Sequence, residues 1–245
     1  MAVETLPLTE ELVAQYHRDG FLLASGLVSE VIARKGEDAM WDVMEMDRDD
    51  GETWDKFPDE SRTSTVQAGF TPRSGLFQYF GNQNPDLLAC YTPEMMAAMA
   101  QLTGEPVDFF QPPTGTLVQN VFPTEGEWEW RGVHFDGAVK DKMHKTFPGP
   151  FIINSLIYLN DIEKHGGGTV GWPGSHKPVR ELAESDPEKY EYMWQLKEDL
   201  HTVDVGDYVE LEPKCGDILF FAHFCVHAAS KNVRETPRLA LRSRW

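Results

Sequence analysis

From about residue 106 to its end, the sequence is a succession of short apolar runs cut by Gly, Pro, Asn and Asp. Runs this short satisfy their backbone hydrogen bonds by pairing with one another, so the pattern demands a sandwich or barrel. The clearest lie at 151–159, 208–211, 218–221 and 238–244. Between them, 181–200 reads as helix, split by Pro187. Upstream the texture is helical. Thr9 caps a helix carrying Leu12, Val13 and Tyr16, and 21–23 reads as a strand after Asp19-Gly20. Ser29 caps a second helix, an acidic loop covers 47–59, and Pro93 opens a helix over 93–102. The expected fold is mainly β (α+β): one domain over 1–245, with N-terminal helices (about 1–105) buttressing a double-sheet β-barrel core (about 106–245).

Composition excludes several classes. Hydrophobic residues at 41% and charged residues at 25% are the balance of a globular chain able to bury an ordinary core without staples. Three cysteines, Cys90, Cys215 and Cys225, show no CxxC spacing and point to a reducing compartment. The opening MAVETLPLTEEL lacks the basic and apolar regions of a secretory signal, and no apolar run approaches the ~20 residues of a membrane span. A cytoplasmic protein with no membrane partner is expected. The net charge of −18 argues against nucleic acid, whose phosphates need Lys and Arg. An acidic surface mainly promotes solubility and would also suit a cationic substrate.

The first chemical signal is His134-Phe135-Asp136. On a strand, residues i and i+2 share a face, so imidazole and carboxylate would point together into a barrel mouth. His227, after the apolar run 218–226, is the candidate third ligand. Two histidines and one carboxylate on one face of an octahedron leave the opposite face open, the pattern of non-haem Fe(II). With 8 histidines and 40 acidic residues, an isolated HxD triplet arises easily by chance, and its surroundings must decide.

Those surroundings are specific. LTEELVAQYHRDGFLLASGLVS, YLNDIEKHGGGTVGWPGSHK with its PGSH signature at 173–176, and CGDILFFAHFCVHAASKN occur in that order around HFD. His227 follows Asp217 by ten residues and Arg238 follows His227 by eleven. The chain resembles the phytanoyl-CoA dioxygenase (PhyH) family of Fe(II)/2-oxoglutarate-dependent oxygenases over nearly its whole length. The resemblance implies a double-stranded β-helix (jelly-roll, cupin-like) core, with Fe(II), 2-oxoglutarate and O2 used on a small-molecule substrate and ascorbate as reductant in assays. It matches His134, Asp136 and His227 to the metal ligands and Arg238 to the arginine on the far carboxylate of 2-oxoglutarate. A guanidinium suits that task as a rigid bidentate fork. Arg242 and Arg244 share the strand face of Arg238 by parity, and only the family spacing chooses among the three.

Asn120, three residues before Pro123, and Asn154, within the run 151–159, are further co-substrate candidates. Either would equally serve a buried backbone group. Relatives commonly place an aromatic residue before the first ligand and Gly-Ser after the distal histidine. Here stand Val133 and Ala228-Ala229-Ser230, so Ser230 is assigned no role. Halogenating relatives lack the carboxylate that Asp136 supplies, so an oxygen-derived oxidation is expected instead. His223 shares a face with His227 if both lie on a strand, and His176 is structural. Trp128 and Trp130 fit either the core or a substrate wall. Segments 51–81 and 139–150 are candidate lids, with Trp54, Arg62, Phe77 and Tyr79 as contacts. An iron oxygenase that does not use 2-oxoglutarate, and a non-catalytic metal- or ligand-binding barrel, remain the alternative readings. Ligand type alone also admits nickel or zinc. Substrate identity and oligomeric state are not encoded in any segment.

Overall fold

The computed structural model describes residues 6–54, 65–66 and 76–245, with the backbone alone at 65–66 and 76–81. Helix α1 (Glu10–Asp19) and helix α2 (Glu30–Met44) begin where their caps predict. The Thr9 and Ser29 hydroxyls accept from the N–H groups of Leu12 and Ile32. Strand β1 (Phe21–Ala24) lies between them. Strands β2 (Thr65–Val66) and β3 (Leu76–Asn82), the short helix α3 (Pro85–Leu88) and helix α4 (Pro93–Thr103) complete the first half. The core then adds β4 (Thr116–Val121), β5 (Trp130–His134), β6 (Ile153–Tyr158) and β7 (Thr169–Gly171). Helices α5 (His176–Ser185) and α6 (Met193–Glu198) follow, then β8 (Val209–Glu210), β9 (Ile218–Ala222), β10 (His227–Ser230) and β11 (Ala240–Arg244).

Among the described residues the strands form two antiparallel sheets, β1-β9-β6-β11-β4-β3-β2 and β5-β10-β7-β8. Facing one another, they make the jelly roll. Strand alternation divides β1, β4, β6, β9 and β11 of the larger sheet between two environments. Ile153, Ile157, Ile218, Phe220, Leu239, Leu241 and Val118 face outward into one cluster with Met40, Met44, Met95 and Met99 of the helical layer. Leu156, Tyr158, Leu219, Phe221 and Ala240 face inward with Phe21. Each fully buried Leu, Ile or Met of the outer layer contributes about 1.5–3 kcal/mol, which clamps the sheet that carries half of the site. A third cluster covers the outer face of the smaller sheet with Val179, Ala183, Met193 and Leu196 of α5 and α6.

Several expectations need correction. The two portions are not separable, because β1, β2 and β3 from the first 105 residues are strands of the larger sheet. The strand expected at 21–23 is present as β1 and pairs with β9 of the core. Helix α5 starts at His176, inside the PGSH segment, rather than at 181. The strand expected at 208–211 shrinks to the pair Val209–Glu210.

Three buried asparagines fix the segment that leads into β11. Asn160 accepts from Leu239 N (2.9 Å) and donates to Pro237 O (2.8 Å). Asn232 donates to Thr236 O (2.8 Å) and Val121 O (3.2 Å). Asn120 Oδ1 accepts from Ala240 N at 3.0 Å. Removing that acceptor leaves a buried N–H unsatisfied, a cost of about 1–3 kcal/mol. Asn120→Ala is therefore expected to lower unfolding free energy by that amount in urea denaturation; an unchanged midpoint would refute the structural role given to Asn120.

Candidate metal centre

His134 ends β5 and His227 begins β10, and the two are directly paired across the antiparallel ladder. Asp136 lies just beyond the strand, in a turn where Gly137 takes φ +87° and where a Cβ would meet Met193 Sδ at 2.8 Å. The alternation predicted for HxD survives the turn. Phe135 goes outward against Phe224, and its two neighbours go inward. One ligand atom from each of His134, Asp136 and His227 lies within 4.8 Å of the others. His134 Nε2 is 3.9 Å from Asp136 Oδ1, and His227 Nε2 is 3.8 Å from Asp136 Oδ2.

Each imidazole is oriented through its other nitrogen. His134 Nδ1 donates to Gly132 O (2.5 Å) and His227 Nδ1 to Cys225 O (3.0 Å). Both rings therefore present Nε2 as a lone pair, the arrangement that metal-binding histidines use. Burial lowers the pKa of both, His227 to about 3 with help from His134, so both are neutral near pH 7. Burial alone would raise the Asp136 pKa, but Arg242, the neighbouring His227 and Arg244 override it and hold the carboxyl well below the usual range. Arg242 and Arg244 both donate to Asp136 Oδ1, Arg244 at 2.8 Å. Asp136 Oδ2 is buried and has no partner. Two neutral nitrogens and one orphaned anionic oxygen converge on one point, and that donor set fits a divalent transition metal.

The three arginines of this strand segment all face inward. Arg238, 1% exposed, donates to Gly167 O (2.8 Å) and Gln119 O (3.4 Å), while its Nε has no partner. It lies near Tyr158, whose hydroxyl meets Thr169 Oγ1 at 2.9 Å. Arg238 and Arg242 are four residues apart, about 13 Å along the strand, so the guanidinium and the triad flank a common interior. Asn154 also faces inward, and both of its amide atoms are buried without partners. Asn120 does not. It shares the outward face of Val118, its Nδ2 contacts Met44 Sδ at 3.1 Å, and its oxygen is committed to Ala240 N. The inward residue beside it is Gln119, whose Oε1 is buried without a partner. Residue type singled out Asn120, whereas facing is decided by register.

Other candidates separate cleanly. Trp128 and Trp130 join the cluster under α5 and α6, a packing role. Ser230 donates to Gly168 O. Trp54 packs on Trp41 and Phe122 within the helical layer. Arg62 and the side chains of Phe77 and Tyr79 lie outside the described residues. His223 sits in the β9–β10 turn, ring against ring with Phe151 (5.0 Å) and Phe224 (4.4 Å).

A family model for phytanoyl-CoA dioxygenase (PhyH) matches residues 16–240. The chain belongs to the phytanoyl-CoA dioxygenase family. This PhyH chain matches no curated protein sequence. Among solved structures it is similar to the non-haem α-ketoglutarate-dependent epimerase SnoN from nogalamycin biosynthesis (16% identity, TM-score 0.62, 95% of this chain and 80% of that one). It is also similar to EctD from S. alaskensis (14%, 0.61, 99% and 78%). HygX from Streptomyces hygroscopicus, solved with nickel and 2-oxoglutarate, is a third (16%, 0.58, 96% and 85%). At these identities the structural likeness speaks for the jelly-roll fold. The family makes the PhyH chain an Fe(II)- and 2-oxoglutarate-dependent oxidoreductase. No helix of the described residues is long and apolar enough to cross a membrane.

His223 yields a pH test. Burial lowers its pKa from 6.5 to about 4, with Asp136 opposing and Arg180 and His144 assisting. A histidine held neutral in the fold contributes stability above pH 6.5 that is lost as pH falls towards 4, because the unfolded chain takes up the proton first. The interval corresponds to about 2–3 kcal/mol at pH 4.5. His223→Phe, which keeps the aromatic contacts, is expected to remove that part of the acid sensitivity. Urea midpoints at pH 7 and pH 4.5 measure it, and identical pH slopes in both proteins would contradict it.

Proposed function

We propose that this PhyH enzyme oxidises an unactivated C–H bond of a small metabolite, with His134, Asp136 and His227 holding iron and Arg238 holding 2-oxoglutarate. In the simplest case substrate, 2-oxoglutarate and O2 become hydroxylated product, succinate and CO2. The observation that carries the reading is the convergence of one ligand atom from each of His134, Asp136 and His227 within 4.8 Å, with Asp136 Oδ2 buried and free of hydrogen bonds. Ferrous iron with 2-oxoglutarate and O2 supplies the oxidising power, and the rest is done by the chain. His134 and His227 are held by their Nδ1–H bonds so that neither ring turns away. Arg242 and Arg244 keep Asp136 ionised and leave Oδ2 free. Arg238, unpaired by any carboxylate among the described residues, awaits an anion inside the barrel. Leu156, Leu219, Phe221 and Ala240 keep the interior dry, which strengthens each of these interactions.

The similar structures support a small substrate without naming one. SnoN was solved with nogalamycin RO and EctD with 5-hydroxyectoine. SnoK, another similar structure, is a carbocyclase, so hydroxylation is one outcome among several open to such a site.

Incubation with Fe(II), ascorbate and 2-oxoglutarate is expected to release succinate, and its absence would sink the reading. Charged hydrogen bonds are worth about 1.5–3 kcal/mol, so Arg238→Gln should raise the KM for 2-oxoglutarate roughly 10- to 100-fold. Circular dichroism controls for folding. An unchanged KM in the folded variant would remove Arg238 from its role.

A further inference from the structure

We infer that the substrate presents an oxyanion, a carboxylate or phosphate, to Arg244 and Asn154 at the triad end of the barrel. The inference rests on the oxygenase reading above and adds the chemical class of the substrate. Arg244 and Asn154 are directly opposite one another on β11 and β6, so their side chains share the inward face. Arg244 is six residues from Arg238, about 20 Å along the strand. This pair therefore lies beyond the triad from the place given to the far carboxylate of 2-oxoglutarate.

Two independent observations ask for a ligand there. Asn154 is 0% exposed, yet neither its Oδ1 nor its Nδ2 has a partner. Leaving such a group unsatisfied is destabilising, and a bound polar group removes that penalty. Arg244 makes a single hydrogen bond among the described residues, to Asp136 Oδ1, an oxygen that Arg242 already serves. Its side chain is 37% exposed against 12% for Arg242, and it lies over the Phe151 ring at 5.4 Å. Most of its guanidinium fork is thus uncommitted and accessible, while Arg242 is the more buried of the two arginines on Asp136.

The charges agree. Three guanidiniums and a divalent cation stand against one carboxylate and a dianionic co-substrate, with both histidines neutral. The loaded interior would retain about two positive charges, which attract an anion at short range. The chain as a whole carries −18, so this interior differs in sign from the molecule as a whole.

The test uses the full chain loaded with Zn(II) and saturating 2-oxoglutarate, which cannot turn over. Ligand-observed NMR compares benzoate, phenyl phosphate and neutral benzamide as probes. At least one anion is expected to bind tenfold or more tightly than benzamide, and Arg244→Gln is expected to abolish that preference while Arg244→Lys retains part of it. Zinc and 2-oxoglutarate uptake, followed by dialysis and calorimetry, is brought to saturation in each variant before the probes are added, because Arg244 also bonds the metal ligand Asp136. Equal binding of anions and benzamide, or an anion preference that survives Arg244→Gln, would overturn the inference. Loss of 2-oxoglutarate uptake in Arg244→Gln with zinc uptake retained would also overturn it, by making Arg244 a co-substrate ligand. If the wild type fails to take up zinc and 2-oxoglutarate at all, the oxygenase reading falls first.

Discussion

Everything in this barrel turns on the buried carboxylate of Asp136. An unpaired anion at that depth would be protonated and useless as a ligand. Two guanidiniums reach across the barrel from β11 to one of its oxygens, which keeps the group ionised and leaves the other oxygen bare. Asp136 comes from the smaller sheet's margin and the arginines from the larger sheet, so the ion pairs also tie the two sheets together at the level of the metal centre.

The remaining architecture holds those partners in place. The helical layer packs on the outer face of the larger sheet and fixes the position of β11. Helices α5 and α6 do the same for the smaller sheet, with Phe135 anchored there between His134 and Asp136. Where β11 begins, three asparagines rather than apolar packing set the path of the chain, because the backbone at 236–240 has several groups outside the sheet ladder. That is how Arg238 comes to be buried with its guanidinium bonded to two backbone carbonyls and its Nε left over.

Much of this was legible beforehand. Caps at Thr9 and Ser29, the apolar runs at 151–159 and 218–221, and the order of the HxD, PGSH and distal-histidine segments all pointed to a helix-buttressed jelly roll with this triad. Strand parity even placed Arg242 and Arg244 on the face of Arg238. What parity lacked was a partner for them, since nothing along the chain announces that Asp136 lies opposite. Asn120 illustrates the same limit. Its type and neighbourhood suit a co-substrate contact, yet a register one residue different would be needed to turn it inward, and Gln119 occupies that place instead.

The amino-acid sequence by itself determined the local periods, the caps, the ligand types and their order, because each depends on residues a few positions apart. The tertiary structure decided which of the inward polar groups found partners and which did not. Asp136 Oδ2, Asn154 and part of Arg238 are left unsatisfied only because strands distant in sequence close around them. Burial and charge are properties of that enclosure, and they turn an acidic chain into the container of a positively charged cavity.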